Sequence, residues 1–180
     1  MDAITTLEQD HRTVEGLFDR FEKATSDEER EEIAKEVIRE LSVHSCIEEQ
    51  VLYPFVREAV PTLESEILED LEEHHAVETM LAELERMPRD HERYQAKFTV
   101  IKENVKHHVQ EEEENLFPKL KDAVDSETLN ELGQALSAAR DNAPTHPHPH
   151  SPDEPPANLL SDRVAGVMDR LRDKVRSAVS

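Results

Sequence analysis

Glycine, tryptophan and cysteine are almost missing from this chain, and each shortage removes a class of protein. Three glycines, no tryptophan and 4% aromatics in 180 residues leave too few tight turns and too little aromatic surface for a sandwich, a barrel or a doubly wound sheet. One cysteine, Cys46, excludes an internal disulfide and a thiolate cluster and fits a reducing compartment. Any metal site must therefore come from histidine and carboxylate. No apolar run nears the roughly 20 residues of a spanning helix, and Met1 to Gln9 lack the basic and apolar regions of a signal peptide; the expectation is a soluble, cytoplasmic protein. Positive charge is also short. With 21 basic against 42 acidic side chains and a net charge of -21, the surface repels phosphate backbones and anionic lipid, which argues against nucleic acid and membrane partners.

Charged residues at 35% with few glycines point to helices. Composition breaks near residue 141: all of the excess acidity lies in residues 1–141, and residues 142–180 are neutral. Residues 142–158 hold most of the prolines, including His146-Pro147-His148-Pro149-His150, and read as an extended linker without preorganised metal geometry. Across residues 159–180, Leu160, Val164, Val167, Leu171 and Val175 recur at helical spacing beside Arg163, Arg170 and Arg172. This predicts an amphipathic tail helix able to dock on a protein partner or on the preceding domain.

Residues 1–141 carry four long apolar stripes and a shorter one. The first runs Ile4, Leu7, His11, Val14, Phe18, Phe21; the second, after a cap at Ser26-Asp27, runs Ile33, Val37, Leu41, His44, Glu48, Val51, Phe55. The third runs Ile67, Asp70, His74, Val77, Leu81, Leu84, and the fourth Tyr94, Phe98, Ile101, Val105, His108, Glu112, Leu116. Leu129, Leu132 and Leu136 mark a short fifth helix over 127–140.

An internal repeat relates these stripes. A shift of 63 takes His11 to His74 and Val14 to Val77, and a shift of 64 takes His44-x-x-x-Glu48-Glu49-x-x-Leu52-Tyr53-Pro54 to His108-x-x-x-Glu112-Glu113-x-x-Leu116-Phe117-Pro118. Two such hairpins predict an all-α, up-down-up-down four-helix bundle, kinked near Pro54 and Pro118.

Every seam carries polar groups at mid-length. A buried, uncompensated imidazole or carboxylate costs roughly 1–3 kcal/mol, and six would consume most of a typical stability of about 5–15 kcal/mol. Two metal ions bridged by Glu48 and Glu112, with His11 and His44 on one and His74 and His108 on the other, compensate all six. Imidazole and carboxylate without thiolate fit iron or manganese better than a structural zinc. His107 with Glu111 is the alternative register, and His75 flanks His74. Cys46 falls on the opposite side of its helix from His44 and reads as a packing residue.

Asp10-His11-Arg12, Glu73-His74-His75 and the two His-x-x-x-Glu-Glu-x-x-Leu-aromatic-Pro segments resemble the haemerythrin-like, or HHE cation-binding, domain over about residues 1–140. The resemblance implies a four-helix bundle with a non-haem di-iron centre. Oxygen-carrying haemerythrins place a second histidine one turn before the third-helix ligand, where this chain has Asp70. Asp70 is then either a seventh ligand or an acceptor for a ligand imidazole. Three function classes follow: a di-iron protein reacting with peroxide, dioxygen or nitric oxide, with catalase-like peroxide detoxification placed first; a reversible oxygen or nitric oxide carrier or sensor; and an iron-storage protein.

Overall fold

The computed structural model describes residues 1–151 together with Gly166 and Arg170. The tail helix and the end of the linker otherwise lie outside the described residues. Among the described residues all regular structure is helical: α1 (Ala3–Lys23), α2 (Asp27–Ile47), α3 (Tyr53–Ala59), α4 (Glu64–Arg86), α5 (Tyr94–Glu111), α6 (Phe117–Ala123) and α7 (Ser126–Arg140). No helix among them is long and apolar enough to cross a membrane.

The starts follow local chemistry. Asp2 accepts the Thr5 N–H at 3.0 Å, Ser26 accepts that of Glu29 at 3.1 Å, and Asp125 accepts that of Thr128 at 2.8 Å. Each satisfies a free amide at a helix N-terminus. Asp27, Glu28 and Glu29 add negative charge at the positive end of α2.

α2 and α3 form one rod joined by a π turn, Glu48–Leu52, and α5 and α6 form another joined by Glu112–Leu116. With α1 and α4 these rods make the expected four-helix bundle. The sequence predicts a proline kink, and the structure places a widened π turn directly ahead of each proline. Pro54 and Pro118 lack an N–H and their rings crowd the carbonyl four residues back. The residue before each, Tyr53 or Phe117, bonds five residues back to the Glu48 or Glu112 carbonyl, so the helix continues with one residue absorbed.

α7 is the predicted fifth helix and lies along α1, α2 and the first π turn. A Cβ on its Gly133 would collide with the Met1 carbonyl, so this glycine permits close approach of α7 to the N-terminus.

The core is split in two. One apolar cluster joins Leu7, Ile47, Val51, Phe55, Leu116 and Leu120 to Leu129, Leu132 and Leu136 of α7. The other, toward the opposite end, contains Val14, Phe18, Phe21, Ile33, Val37, Leu81, Leu84, Phe98 and Ile101. His11 in α1 stands between Leu7 and Val14, which belong to different clusters, so a buried polar layer divides the apolar interior.

Candidate metal centre

His11 from α1, His44 from α2, His74 from α4 and His108 from α5 converge on the two glutamates that open the π turns. All six side chains are buried, and Glu48 and Glu112 are 0% exposed. Glu48 Oε2 lies 3.1 Å from His44 Nε2 and 3.5 Å from His74 Nε2; Glu112 Oε2 lies 3.3 Å from His11 Nε2 and 3.7 Å from His108 Nε2. Each glutamate therefore reaches one histidine of either hairpin, the arrangement a bridging carboxylate requires. Two overlapping sets, His11–His44–Glu48–Glu112 and Glu48–His74–His108, hold their ligand atoms within 4.8 Å of one another.

The outer nitrogen of every imidazole faces a carboxylate. His11 Nδ1 bonds Glu113 at 2.7 Å, His74 Nδ1 bonds Glu49 at 3.0 Å, His108 Nδ1 bonds Glu73 at 2.8 Å, and His44 Nδ1 lies 3.5 Å from Asp10. Arg12 pairs with Glu113 and Arg140 of α7 with Asp10. A proton held on Nδ1 leaves Nε2 free to bind inward. The sequence analysis gives Glu113 no role at the centre, whereas the structure bonds it to His11. The repeat itself holds the missed signal, because Asp10 and Glu73 precede matched histidines while Glu49 and Glu113 follow matched glutamates.

Among the described residues, eight buried side-chain atoms lack a hydrogen-bond partner, and six of them belong to this cluster: His11 Nε2, both nitrogens of His44, both oxygens of Glu48 and Glu112 Oε2. A cation at the centre would supply the partner that the inward-facing atoms lack, while His44 Nδ1 faces outward to Asp10.

Residues 2–120 match the Hemerythrin HHE cation binding domain. The chain belongs to that family. It is 26% identical over 166 residues to an uncharacterized hemerythrin-like protein of Schizosaccharomyces pombe, covering 92% of this chain and 82% of that one. It is 28% identical over 140 residues to an uncharacterized Mycobacterium tuberculosis protein, covering 77% of this chain and 84% of the relative. A crystal structure from Mycobacterium kansasii, of an HHE cation-binding domain protein homologous to the latter, superposes with a TM-score of 0.67 at 26% identity, covering 78% of this chain and 86% of that one. The chain is thus a haemerythrin-like, metal-binding helical bundle.

Charge in the haemerythrin-like centre is unevenly held. Burial pushes His44 down to about 4 and His74 down to about 3, so both rings are neutral. Burial also opposes charge on His108, yet Glu112, Glu73 and Asp70 lift it to about 9. Burial and the neighbouring Glu112 raise Glu48 well above the carboxylate range, while Glu112, despite its burial, is held below that range by His108 and His11. One glutamate thus keeps its proton and the other its charge, as two close carboxylates must without a cation between them.

Two residues break the symmetry. The Tyr53 hydroxyl lies 3.2 Å from His74 Nε2 and donates to Glu112 Oε1 at 3.2 Å, and burial together with the Glu112 charge keeps its proton on. Its repeat partner Phe117 stacks on His11 at 5.8 Å without a polar group. Sequence reasoning reads both as the motif's aromatic, and the single visible signal is Tyr against Phe. Asp70 stands apart from the six: its Oδ1 is 3.8 Å from His108 Nδ1, on the outer edge of that ring. Burial raises Asp70 to about 7, with His108 opposing and Glu112, Glu73 and Glu111 adding to the rise.

The remaining candidates lie outside the centre. His107, exposed, is 3.7 Å from Glu111, and His75 is exposed. His146 bonds Glu85 at 2.5 Å, and Gln50 donates to Cys46 Sγ at 3.0 Å. Against the four imidazoles lies a cavity of about 30 Å³ whose apolar lining is Val14, Leu41, Val77, Leu81, Val105 and Val109.

Proposed function

We propose that this bundle holds two non-haem iron ions, one at His11 and His44 and one at His74 and His108, with Glu48 and Glu112 between them, and that the loaded protein disposes of peroxide in the cytoplasm. Manganese or zinc are weaker substitutes. The observation that carries the reading is the cavity. About 30 Å³ accommodates one or two water-sized molecules, so peroxide, dioxygen or nitric oxide fits beside the imidazoles.

An iron pair, when bound, supplies two oxidation levels two electrons apart. One peroxide can then be reduced to two waters and a second oxidised to dioxygen, with no outside reductant. The side chains do the rest. The four outer carboxylates fix the imidazoles, and the valines and leucines exclude bulk water. The Tyr53 hydroxyl oxygen, 3.2 Å from Glu112 Oε1, holds a proton that can serve an oxygen leaving as water. Asp10, Glu49, Glu73 and Glu113 add negative charge around the rings, which favours the more highly charged ferric pair and disfavours a long-lived reversible oxygen carrier.

The test mixes reduced, iron-loaded protein separately with peroxide, dioxygen and nitric oxide while spectra and gas are recorded. Oxygen evolution from peroxide, lost in the Glu48→Ala/Glu112→Ala double variant, supports the reading. Stable reversible oxygenation without peroxide turnover supports a carrier or sensor instead, and inertness toward all three supports iron storage.

A further inference from the structure

Beyond the centre, the side chains able to hold a cation form a connected path to the surface. Glu73, His107 and Glu111 form an outer set, Asp70, Glu73 and His108 one beneath it, and Glu48, His74 and His108 one half of the centre. Each set shares a member with the next. The outer end is open, since His107 is exposed and Glu73 and Glu111 are half-buried. Beside it, between α4 and the α5–α6 rod, lies a pocket of about 240 Å³ walled by Glu66, Glu69, Asp70, Glu111, Asn115 and Lys119. Lys119 bonds Glu66 at 2.7 and 2.8 Å and does not pair with the other acids.

Asp70 forms the inner wall and is an independent sign of a ligand. It is 6% exposed, and among the described residues it makes no hydrogen bond. Its nearest ionic neighbour, His108 Nδ1 at 3.8 Å, is already bonded to Glu73 at 2.8 Å. The charged His108 ring thus compensates it only at 3.8 Å, and a cation in the pocket would give this carboxylate a direct contact.

The repeat supplies the control. On the matching α1/α2 face, Leu7 stands for Asp70, Val43 for His107, Ile47 for Glu111 and Ala3 for Glu66. All four are buried, and α7 lies over that face. The bundle's symmetry therefore does not require these polar residues, and Glu66 and Glu111 pair with none of the four central imidazoles among the described residues.

The geometry points to the α4/α5 face as the loading route of the centre: a divalent cation such as Fe2+ is caught by Glu73, His107 and Glu111, passes to Asp70 and enters past the edge of the His108 ring. This rests on reading the six-residue cluster as a metal centre. Negative side chains lining a partly closed pocket raise the local cation concentration and speed its capture, and their oxygens suit a hard divalent ion.

The test adds Co2+ to the metal-free full chain in stopped flow and follows its visible absorption. Glu69→Gln/His107→Gln/Glu111→Gln is expected to slow uptake tenfold or more at low salt, with the final Co2+ to chain ratio unchanged and the difference shrinking at high salt. Asp70→Asn alone is expected to slow uptake with the same final ratio. Glu32→Gln/Glu92→Gln, which removes charge elsewhere, is expected to stay within twofold of the parent. Equal rates for the triple variant and this control overturn the route, as does a triple variant whose final ratio falls at unchanged rate, since those residues are then resident ligands. A parent chain that takes up no Co2+ overturns the metal-centre reading beneath it.

Discussion

The two helical hairpins of this bundle carry the same inward-facing residues and opposite outward faces. His11, His44 and Glu48 are repeated as His74, His108 and Glu112, and their outer carboxylates Asp10 and Glu49 as Glu73 and Glu113. Outside this layer the copies part: Leu7 and Ile47 pack in the cluster that holds the α7 leucines, whereas Asp70 and Glu111 line an open acidic pocket beside the exposed His107. A centre shared between hairpins constrains each copy's seam, while each outer face answers only to what covers it. Within the centre a single hydroxyl separates the halves, Tyr53 against Phe117.

The largest expected effect treats the halves alike. His44→Ala and His108→Ala should each remove about half or more of the bound iron and lower the melting temperature of the loaded protein together with it, because site assembly contributes to folding. Metal analysis paired with calorimetry checks this; loss from one variant alone would show that the halves are unequal.

Next comes the cover. Leu132 of α7 is fully buried in the cluster that includes Leu7 and Ile47, so Leu132→Ala should cost about 2–5 kcal/mol in denaturant unfolding. A variant within about 0.5 kcal/mol of the parent, the range of ordinary surface changes, would mean that α7 does not hold that face.

Tyr53→Phe makes the halves chemically alike. It should leave iron content intact and slow peroxide turnover by roughly 10²-fold if the hydroxyl supplies the proton. Turnover at the parent rate would leave Tyr53 a packing role only.

The smallest effect concerns Asp70→Leu, which copies Leu7. Asp70 is raised to about 7 from its ordinary 3.8. Between those values the unfolded chain releases this proton while the folded chain keeps it, so the parent loses stability as pH rises from about 4 to about 7. In the metal-free protein the Leu variant should lack that slope, and its advantage should grow across the same window and level off above pH 7. Parallel curves for variant and parent would contradict the burial that raises Asp70.

Much of this was legible in the sequence. Periodicity reads the fifth helix over 127–140 where α7 spans Ser126–Arg140, and the Ser26 cap marks the start of α2 because it satisfies a local amide without tertiary help. The six central residues stand out because polar groups on an apolar seam recur at a fixed shift, and the repeat brings together what a lone His-x-x-x-Glu cannot. The π turns are harder to read, since a proline in a helix signals disruption but not whether the chain kinks or widens. The pairing of Glu113 with His11 and of Glu73 with His108 depends on how α1 meets the second π turn and α4 meets α5, which no single helix encodes. The same limit applies to Asp70, whose seam position is plain but whose place at the outer edge of His108 follows from the relative depth of α4 and α5.

The central claim is that the six buried residues form one two-ion centre shared by both hairpins. Anomalous diffraction from crystals of the iron-loaded chain tests it most directly. Two iron peaks about 3–4 Å apart, flanked by Glu48 and Glu112 with His11 and His44 on one and His74 and His108 on the other, are the expected result. A single ion, an ion held by residues other than these, or an iron-supplied chain with none would contradict it.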